Sequence, residues 1–303
     1  MFSKKKTLKF TKTYWDNIGD AIELINNADC IVIGAGSGLS ASGGINYANE
    51  ELAKRWFPKY YEMGLKSILE IQSVFWELTE KNVLSYWGYW ARHIQNIRYN
   101  MPVTKPYEIL FELLKDKESF ICSTNVDGQF EKAGFKNEKI FAPQGNYGLF
   151  QCSKPCNQDV YDNKEMIDKM INNMGDSLKI KEEDIPRCPK CGEFLVPNLR
   201  VDNTFVQKPH FINASKYEKF VNEAKVKKLV LLELGVGYNT PGIIRYPFEN
   251  ITYNFPQSNL IRINMSNAEI PMEIEGKAVG ISADIGKALS DILNYSCENI
   301  EIE

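Results

Sequence analysis

The chain has 303 residues, of which 44% are hydrophobic, 25% are charged and 12% are aromatic, and its formal net charge is −3. This composition is typical of a globular protein, and the lack of a basic excess argues against nucleic acid as a partner. No apolar run approaches the roughly 20 residues of a membrane span, and none follows Lys4, Lys5 and Lys6 as it would in a signal peptide. We therefore expect a cytoplasmic protein with no membrane partner.

The first elements in chain order form a helix, a strand and a glycine-rich turn. Apolar positions at helical spacing predict a helix over residues 11–28, and a short apolar run predicts a buried strand over residues 29–33. Residues 34–38 form the turn, and a second helix follows it. Such a turn brings backbone N–H groups close to a pyrophosphate, although a glycine turn can also simply end a strand.

Residues 50–117 read as mostly helical and are rich in aromatic side chains between Trp56 and Trp90. Most of these aromatics recur at helical spacing, which favours the core of a helical module over base stacking. Some of them could still be exposed and form a docking surface for a protein target.

Two further strands are predicted over residues 119–124 and 139–142. The first ends in the polar sequence Thr124-Asn125-Val126-Asp127, and Gln144 follows the second. Asn and Asp favour turns and helix caps, so these side chains either end a strand or point into a ligand crevice. Their spacing alone does not separate the two interpretations.

Residues 146–200 contain four paired cysteines, Cys152, Cys156, Cys188 and Cys191. Two close pairs of thiolates can meet at one tetrahedral zinc, and four cysteines leave no open coordination position. We therefore predict a structural zinc site, against the alternative of scattered free cysteines. The polar stretch over residues 157–187 is interpreted as a loop insertion between the pairs. The remaining cysteines occur singly, and an odd total argues against disulfides.

The α/β pattern returns after the cysteines. A helix over residues 213–227, a strand over 228–234, a glycine turn over 235–237, a strand over 259–264 and a helix over 282–294 are predicted in turn. Strands that alternate with helices indicate the α/β class, with a Rossmann-like, doubly wound parallel sheet. Ligands bind such sheets outside the carboxyl ends of the strands.

Taken in order, these motifs resemble the sirtuins over residues 12–293. The resemblance implies an NAD-binding large domain made of residues 12–45, 101–145 and 205–295. It also implies an inserted small domain, which consists of a helical module at 46–100 and a zinc module at 146–204. The residues that this resemblance assigns to NAD are Gly34, Ala35, Gly36, Ser40, Tyr47, Thr124, Asn125, Asp127, Gln144, Gly235, Val236, Gly237 and Asn264.

Two departures from ordinary sirtuins bear on the chemistry. Gln144 stands where those enzymes have a histidine general base, and an amide has no useful basicity near neutral pH. Residues 46–49 replace the usual Pro-x-Phe-Arg stretch. The only histidines, His93 and His210, lie outside the motifs, so we interpret them as structural.

The sequence around Gln144, Cys188, Arg200 and residues 233–241 resembles one branch, the class M or macrodomain-linked sirtuins. This resemblance implies a protein ADP-ribosyltransferase. It also implies a lipoylated carrier related to the glycine-cleavage H protein as target, and a macrodomain hydrolase that removes the mark.

Without a base at this position, we expect cleavage of NAD to be retained and deacylation to be lost. We therefore predict ADP-ribosyl transfer, with Asn125, Asp127, Gln144 and Arg200 as catalytic residues. Arg200 would hold a carboxylate or a phosphate, unless it only forms a surface salt bridge. The alternatives are an NAD glycohydrolase, a weak deacylase, and a sensor that binds NAD or ADP-ribose without turnover.

Overall fold

A six-stranded parallel sheet forms the centre of the protein. The computed structural model describes residues 12–298, and the expectation about a signal peptide at Lys4 to Lys6 lies outside them. The strands of this sheet are β1 (Cys30–Ala35), β2 (Ser119–Ser123), β3 (Ile140–Phe141), β7 (Leu229–Leu234), β8 (Ser258–Ile263) and β9 (Ala278–Ile281), and the three strands between β3 and β7 form a separate sheet. The strand order in the large sheet is β3-β2-β1-β7-β8-β9.

The strand order reverses between β1 and β7, as in a doubly wound sheet, and this confirms the predicted fold class. Both faces of β1 are buried by alternating side chains. Ile31 and Ile33 belong to one apolar cluster, whereas Cys30 and Val32 belong to another on the opposite face. Burial on both faces explains why the strand reads as a continuous apolar run.

The helices lie on both faces of the sheet and in a separate module. They are α1 (Tyr14–Asn26), α2 (Ser37–Ser42), α3 (Glu50–Trp56), α4 (Pro58–Glu62), α5 (Ile68–Val74), α6 (Val83–Ile94), α7 (Lys105–Leu114), α8 (Gln129–Ala133), α9 (Lys164–Met174), α10 (Lys208–Phe211), α11 (Ala214–Glu223), α12 (Arg245–Asn254) and α13 (Ile285–Glu298). A π-helical turn, Gln95–Asn100, extends α6. Within the described residues, no helix is both long and apolar enough to cross a membrane.

The aromatic segment folds into the short helices α3 to α6, as predicted. Trp87, Tyr89 and Trp90 are at most 2% exposed and form the centre of an apolar cluster that is distinct from the sheet core. Trp76, by contrast, is 46% exposed. The aromatics therefore serve mainly as the core of this helical module.

The cysteine region contains a small antiparallel sheet in the order β5-β4-β6. Its strands are β4 (Gly145–Cys152), β5 (Tyr161–Asp162) and β6 (Leu195–Leu199). The interpretation of residues 157–187 as a loop insertion is wrong, because α9 lies within them and buries Ile167, Met170 and Met174. These three side chains recur at helical spacing, but the polar residues between them mask that signal.

One further expectation needs correction, and some elements of the large domain were not predicted. Strand β1 runs to Ala35, so Gly34 and Ala35 lie in the strand and the turn begins at Gly36. Helix α12 and strand β9 were not predicted. Strand β9 has only four residues, which is too short for a distinctive pattern.

Candidate active site

A cavity of about 390 Å³ opens at the carboxyl edge of the large sheet, beside the point where the strand order reverses. Two chain segments supply most of its wall: residues 37–48, which follow β1, and residues 124–127, which follow β2. Leu69 of α5, Tyr147 of β4 and Asn239 complete the lining. Among the residues that the sequence assigns to NAD, the cavity brings together Ser40, Tyr47, Thr124, Asn125 and Asp127.

The two glycine turns pack directly against each other behind this cavity. A Cβ atom on Gly36 would lie 2.6 Å from the carbonyl oxygen of Gly235, and one on Gly38 would lie 2.7 Å from the Gly235 Cα. Gly235 itself has φ +63°, in the left-handed region that favours glycine. These glycines therefore allow the loops after β1 and β7 to come into contact.

The side chain of Asn125 is held by three acceptors. Its Nδ2 donates to the carbonyl oxygen of Gly36 at 3.0 Å, to Ser40 Oγ at 3.2 Å and to Tyr107 Oη at 2.9 Å. The backbone N–H of Thr124 donates to the Ala35 carbonyl at 3.0 Å and joins the ends of β2 and β1. Asn125 is thus fixed at the cavity wall with its amide nitrogen directed into the protein.

The carboxylate of Asp127 belongs to the same network. It accepts from Ser40 Oγ at 2.6 Å and from the backbone N–H of Gln129 at 3.0 Å. Burial raises the pKa of Asp127 above its ordinary value, and these two hydrogen bonds oppose that rise. Ser40 therefore connects the amide of Asn125 to the carboxylate of Asp127.

Sequence reasoning missed Tyr107 and Arg98 as members of this site. Tyr107 is fully buried on α7, and its hydroxyl contacts both Ser40 and Asn125. The guanidinium of Arg98 occupies the space left open by Gly128 and Gly148, where added Cβ atoms would lie 1.2 and 2.9 Å from its nitrogens. Its positive charge acts to lower the pKa of Asp127. The π-helical turn that carries Arg98 has no obvious signal in the sequence.

His93 lies directly behind the cavity wall, although the sequence placed it outside every motif. Its ring is fully buried, with Nε2 3.2 Å from Tyr47 Oη and Nδ1 3.2 Å from Tyr89 Oη. Tyr47 Oη in turn donates to Tyr147 Oη at 3.4 Å. Burial lowers the pKa of His93 to about 3, so its ring is neutral at pH 7.

Gln144 and Arg200 adjoin each other but do not line the cavity. The backbone N–H of Arg200 donates to the Gln144 carbonyl at 3.0 Å. The Arg200 guanidinium donates to the carbonyl of Pro143 at 2.9 Å and to Gln207 Oε1 at 2.8 Å, and it stacks 4.7 Å from the centre of the Phe205 ring. Within the described residues it forms no salt bridge.

The other residues assigned to NAD lie around the second glycine turn or in the sheet. Gly34 packs beneath α12, where a Cβ would meet Ile244 at 2.4 Å. The carbonyl of Val236 accepts from Asn264 Nδ2 at 3.1 Å and from Arg245 Nη1 at 3.2 Å. Asn264 therefore holds the turn formed by Gly235, Val236 and Gly237.

The four predicted cysteines converge on one point. Their sulfur atoms all lie within 4.8 Å of one another, with Cys152 and Cys191 3.6 Å apart and Cys156 and Cys188 3.7 Å apart. Four thiolates at these separations fit a tetrahedral zinc and leave no position for substrate, so a zinc held here would be structural. Cys30 and Cys122 are buried in the large sheet, away from this centre.

Two relatives are similar over most of the chain, although no protein-family model matches it. A Fusarium oxysporum f. sp. cubense protein, named probable bifunctional ADP-ribose hydrolase/ADP-ribosyltransferase, is 33% identical over 293 residues, or 90% of this chain and 47% of that protein. A Staphylococcus aureus protein named protein ADP-ribosyltransferase is 31% identical over 277 residues, or 89% of this chain and 84% of that protein. The chain thus spans about half of the first relative and most of the second.

Solved structures show the same fold. An enzyme from a study of the mechanism and regulation of Sir2 enzymes superposes with a TM-score of 0.57 at 18% identity, over 94% of this chain and 99% of that chain. A Sir2 homologue in complex with NAD gives a TM-score of 0.56 at 15% identity, over 93% and 94%. The fold is therefore that of a sirtuin. With the Staphylococcus relative, the chain belongs to the sirtuin-fold protein ADP-ribosyltransferases, which confirms the prediction and makes NAD its co-substrate.

Proposed function

We propose that the cavity holds the nicotinamide-ribose half of NAD and that the chain transfers ADP-ribose from it to a carrier protein. The observation that carries this proposal is the network in which Ser40 joins the Asn125 amide to the Asp127 carboxylate at the cavity wall. The network lies beside the paired glycine turns. In the proposed complex, residues 36–38 lie along the pyrophosphate, and the turn at 235–237 with Asn264 lies along the adenine ribose.

The proposed reaction breaks the bond between the nicotinamide nitrogen and ribose C1′. The electron pair leaves with nicotinamide, which becomes neutral, and the cationic C1′ is captured by a nucleophile that loses a proton. In the proposed reaction, the buried carboxylate of Asp127 stabilises the developing positive charge. The histidine base of ordinary sirtuins is absent at Gln144, so no step beyond capture is supported.

The proposed acceptor is a lipoylated carrier related to the glycine-cleavage H protein, in the cytoplasm. Support comes from the sequence resemblance to the class M branch. The name of the Fusarium relative couples an ADP-ribose hydrolase to a transferase in one protein, which supports a separate hydrolase as partner of this chain. Gln144 and Arg200 lie together outside the cavity, and we propose that they contact the acceptor rather than NAD.

We propose that the chain divides into the domains predicted from its sequence, and that the site lies between these domains. Residues 12–45, 101–145 and 205–295 would form the NAD-binding domain, and the modules at 46–100 and 146–204 would cover the cavity from one side. Tyr47 and Tyr147, which both line the cavity, come from those two modules.

Mass spectrometry of the purified protein with NAD and a lipoylated H-like carrier tests this function. An ADP-ribose adduct on the carrier, lost in Asn125→Ala and kept in the surface control Asn254→Ala, would support it. Asn254 suits as a control because it is exposed and, within residues 12–298, its side chain bonds only to Asn250 of its own helix. Free ADP-ribose without an adduct would instead indicate an NAD glycohydrolase. Binding of NAD without turnover would indicate a sensor.

A further inference from the structure

We infer that His93 is a positioning residue that holds Tyr47 at the wall of the cavity and so favours the acceptor over water as the nucleophile. This inference rests on the proposed function. His93 lies on α6 in the helical module, and Tyr47 lies in the loop between α2 and α3. The contact between them is the 3.2 Å approach of His93 Nε2 to Tyr47 Oη.

One assignment of donors and acceptors satisfies all the hydrogen bonds of the His93 ring. Tyr47 Oη donates to Tyr147 Oη, so it is free to accept from His93 Nε2–H. Nδ1 then accepts from the hydroxyl of Tyr89, at 3.2 Å. A neutral imidazole has one donor and one acceptor, and this arrangement uses both.

The surroundings of His93 exclude a role as a base. The rings of Phe57, Tyr89, Trp90 and Tyr147 lie within 6.4 Å of the imidazole centre, and its closest polar neighbours are tyrosine hydroxyls. An imidazolium there would have no counter-charge. The neutral ring can therefore orient Tyr47 but cannot accept a proton from substrate at pH 7.

Tyr47 lies outside any helix or strand, and its partly buried ring packs against the apolar cluster of the helical module. Its hydroxyl is positioned by the contact with His93 and by the longer one to Tyr147. Tyr47 and Tyr147 line the cavity together with Asp127. Because the Tyr47 hydroxyl donates to Tyr147 and accepts from His93, it is not free to donate to a water molecule in the cavity.

If Tyr47 loses its fixed position, the nucleophile that captures C1′ should change. When water is the nucleophile, its oxygen bonds to C1′, one proton goes to solvent and free ADP-ribose is released. When the acceptor side chain is the nucleophile, the adduct remains on the carrier. A mobile Tyr47 would let water reach C1′ and move the products from adduct to free ADP-ribose.

The test compares His93→Leu, the polar rescue His93→Gln, Tyr47→Phe and the control Tyr60→Phe. Tyr60 belongs to the same helical module, and its buried hydroxyl has no hydrogen-bond partner within the described residues. The readouts are NAD binding by calorimetry, KM for NAD, and the ratio of free ADP-ribose to carrier adduct in matched time courses.

We expect His93→Leu and Tyr47→Phe to weaken NAD binding and raise the KM for NAD, each by roughly tenfold or less, as for loss of one hydrogen bond. Both should raise the ratio of free ADP-ribose to adduct. The double variant His93→Leu/Tyr47→Phe should show little effect beyond that of either single variant. His93→Gln should recover part of the NAD affinity that His93→Leu loses.

Wild-type NAD affinity and product ratio in His93→Leu would overturn the inference, as would equal effects in Tyr60→Phe. If the wild type binds NAD but forms no adduct, the proposed transfer fails while the binding comparison still tests His93. If the wild type binds no NAD, both fail.

Discussion

Arg262 donates to both carboxylate oxygens of Glu233, from Nε at 2.7 Å and from Nη2 at 2.9 Å, and neither side chain is exposed. The two residues are direct partners on the adjacent strands β7 and β8. Arg262 Nη2 also donates to Glu249 at 2.8 Å. Nearby Arg245 donates to the carbonyls of Val236 and Asn267. This buried charge cluster therefore supports the loops that follow both strands.

Arg262→Met should lower the free energy of unfolding by about 3–5 kcal/mol, because it leaves the buried Glu233 carboxylate without its bidentate partner. Urea denaturation at pH 7 measures the change. Lys105→Met, which breaks an exposed pair with Glu108, is the control and should leave stability unchanged within error. A loss below about 1 kcal/mol for Arg262→Met would show that the cluster is not needed for folding.

Gly36→Ala should destabilise the protein by about 1–3 kcal/mol and weaken NAD binding, since the new Cβ would meet the backbone of Gly235 at 2.6 Å. Gly237→Ala is the matched control on the opposing turn, where an added Cβ meets nothing within 4 Å. Its stability should stay within about 0.5 kcal/mol of wild type. Thermal unfolding with and without NAD measures both effects, and equal losses in the two variants would contradict close turn packing.

Tyr107→Phe should reduce nicotinamide release by roughly tenfold, because it removes one acceptor of Asn125 and one partner of Ser40. Tyr60→Phe is the control. The Tyr60 hydroxyl is buried and has no hydrogen-bond partner within the described residues, so its removal should leave activity unchanged and should not lower stability. Unchanged nicotinamide release in Tyr107→Phe would show that the Tyr107 hydroxyl does not contribute to the site.

Cys188→Ser should abolish binding of the single zinc and lower the melting temperature, because Cys188 is a buried member of the four-thiolate centre. Cys122→Ala changes an equally buried cysteine in the large sheet and should keep one zinc per chain. Metal analysis after gel filtration measures the zinc content per chain. A full equivalent of zinc in Cys188→Ser would contradict this assignment.

The two histidines should make stability fall as pH decreases below about 6.5. Burial lowers the pKa of His93 to about 3 and that of His210 to about 4, so between pH 6.5 and 4 the unfolded chain binds protons that the folded chain does not. Each group contributes a slope of up to about 1.4 kcal/mol per pH unit. Urea denaturation across this range should show a shallower slope for His210→Gln. An unchanged slope would show that the pKa of His210 is the same in the folded and the unfolded chain.

The features predicted best from the sequence are those formed by residues that are close together in the chain. The cysteine pairs come from two tight turns, and their short spacing allows one zinc to be foreseen. The positions of Asn125 and Asp127 follow from a strand end, since parallel strands bring such residues to one edge of the sheet. The predicted sirtuin fold and ADP-ribosyltransferase family are confirmed for the same reason: their motifs are local and occur in a specific order.

Contacts between distant segments could not be predicted. Tyr107, Arg98 and His93 lie on helices whose sequences show only amphipathic or aromatic patterns, and their hydroxyl, guanidinium and imidazole groups meet the site only through tertiary packing. The interpretation of His93 as an isolated structural residue rested on the motifs nearby in sequence. Its partner Tyr47 is 46 residues away.

Strand β4 carries Tyr147 to the cavity and Cys152 to the zinc centre. Cys152 follows Tyr147 by five positions, and the pairing of β4 with β6 shifts register between Asn146 and Phe150. Pairing with β6 fixes both ends of β4, from Gly145 opposite Leu199 to Cys152 opposite Leu195. An oxidant that converts the thiolates to disulfides and expels the metal would therefore loosen the strand that holds Tyr147. NAD consumption by this protein should thus depend on the redox state of its surroundings.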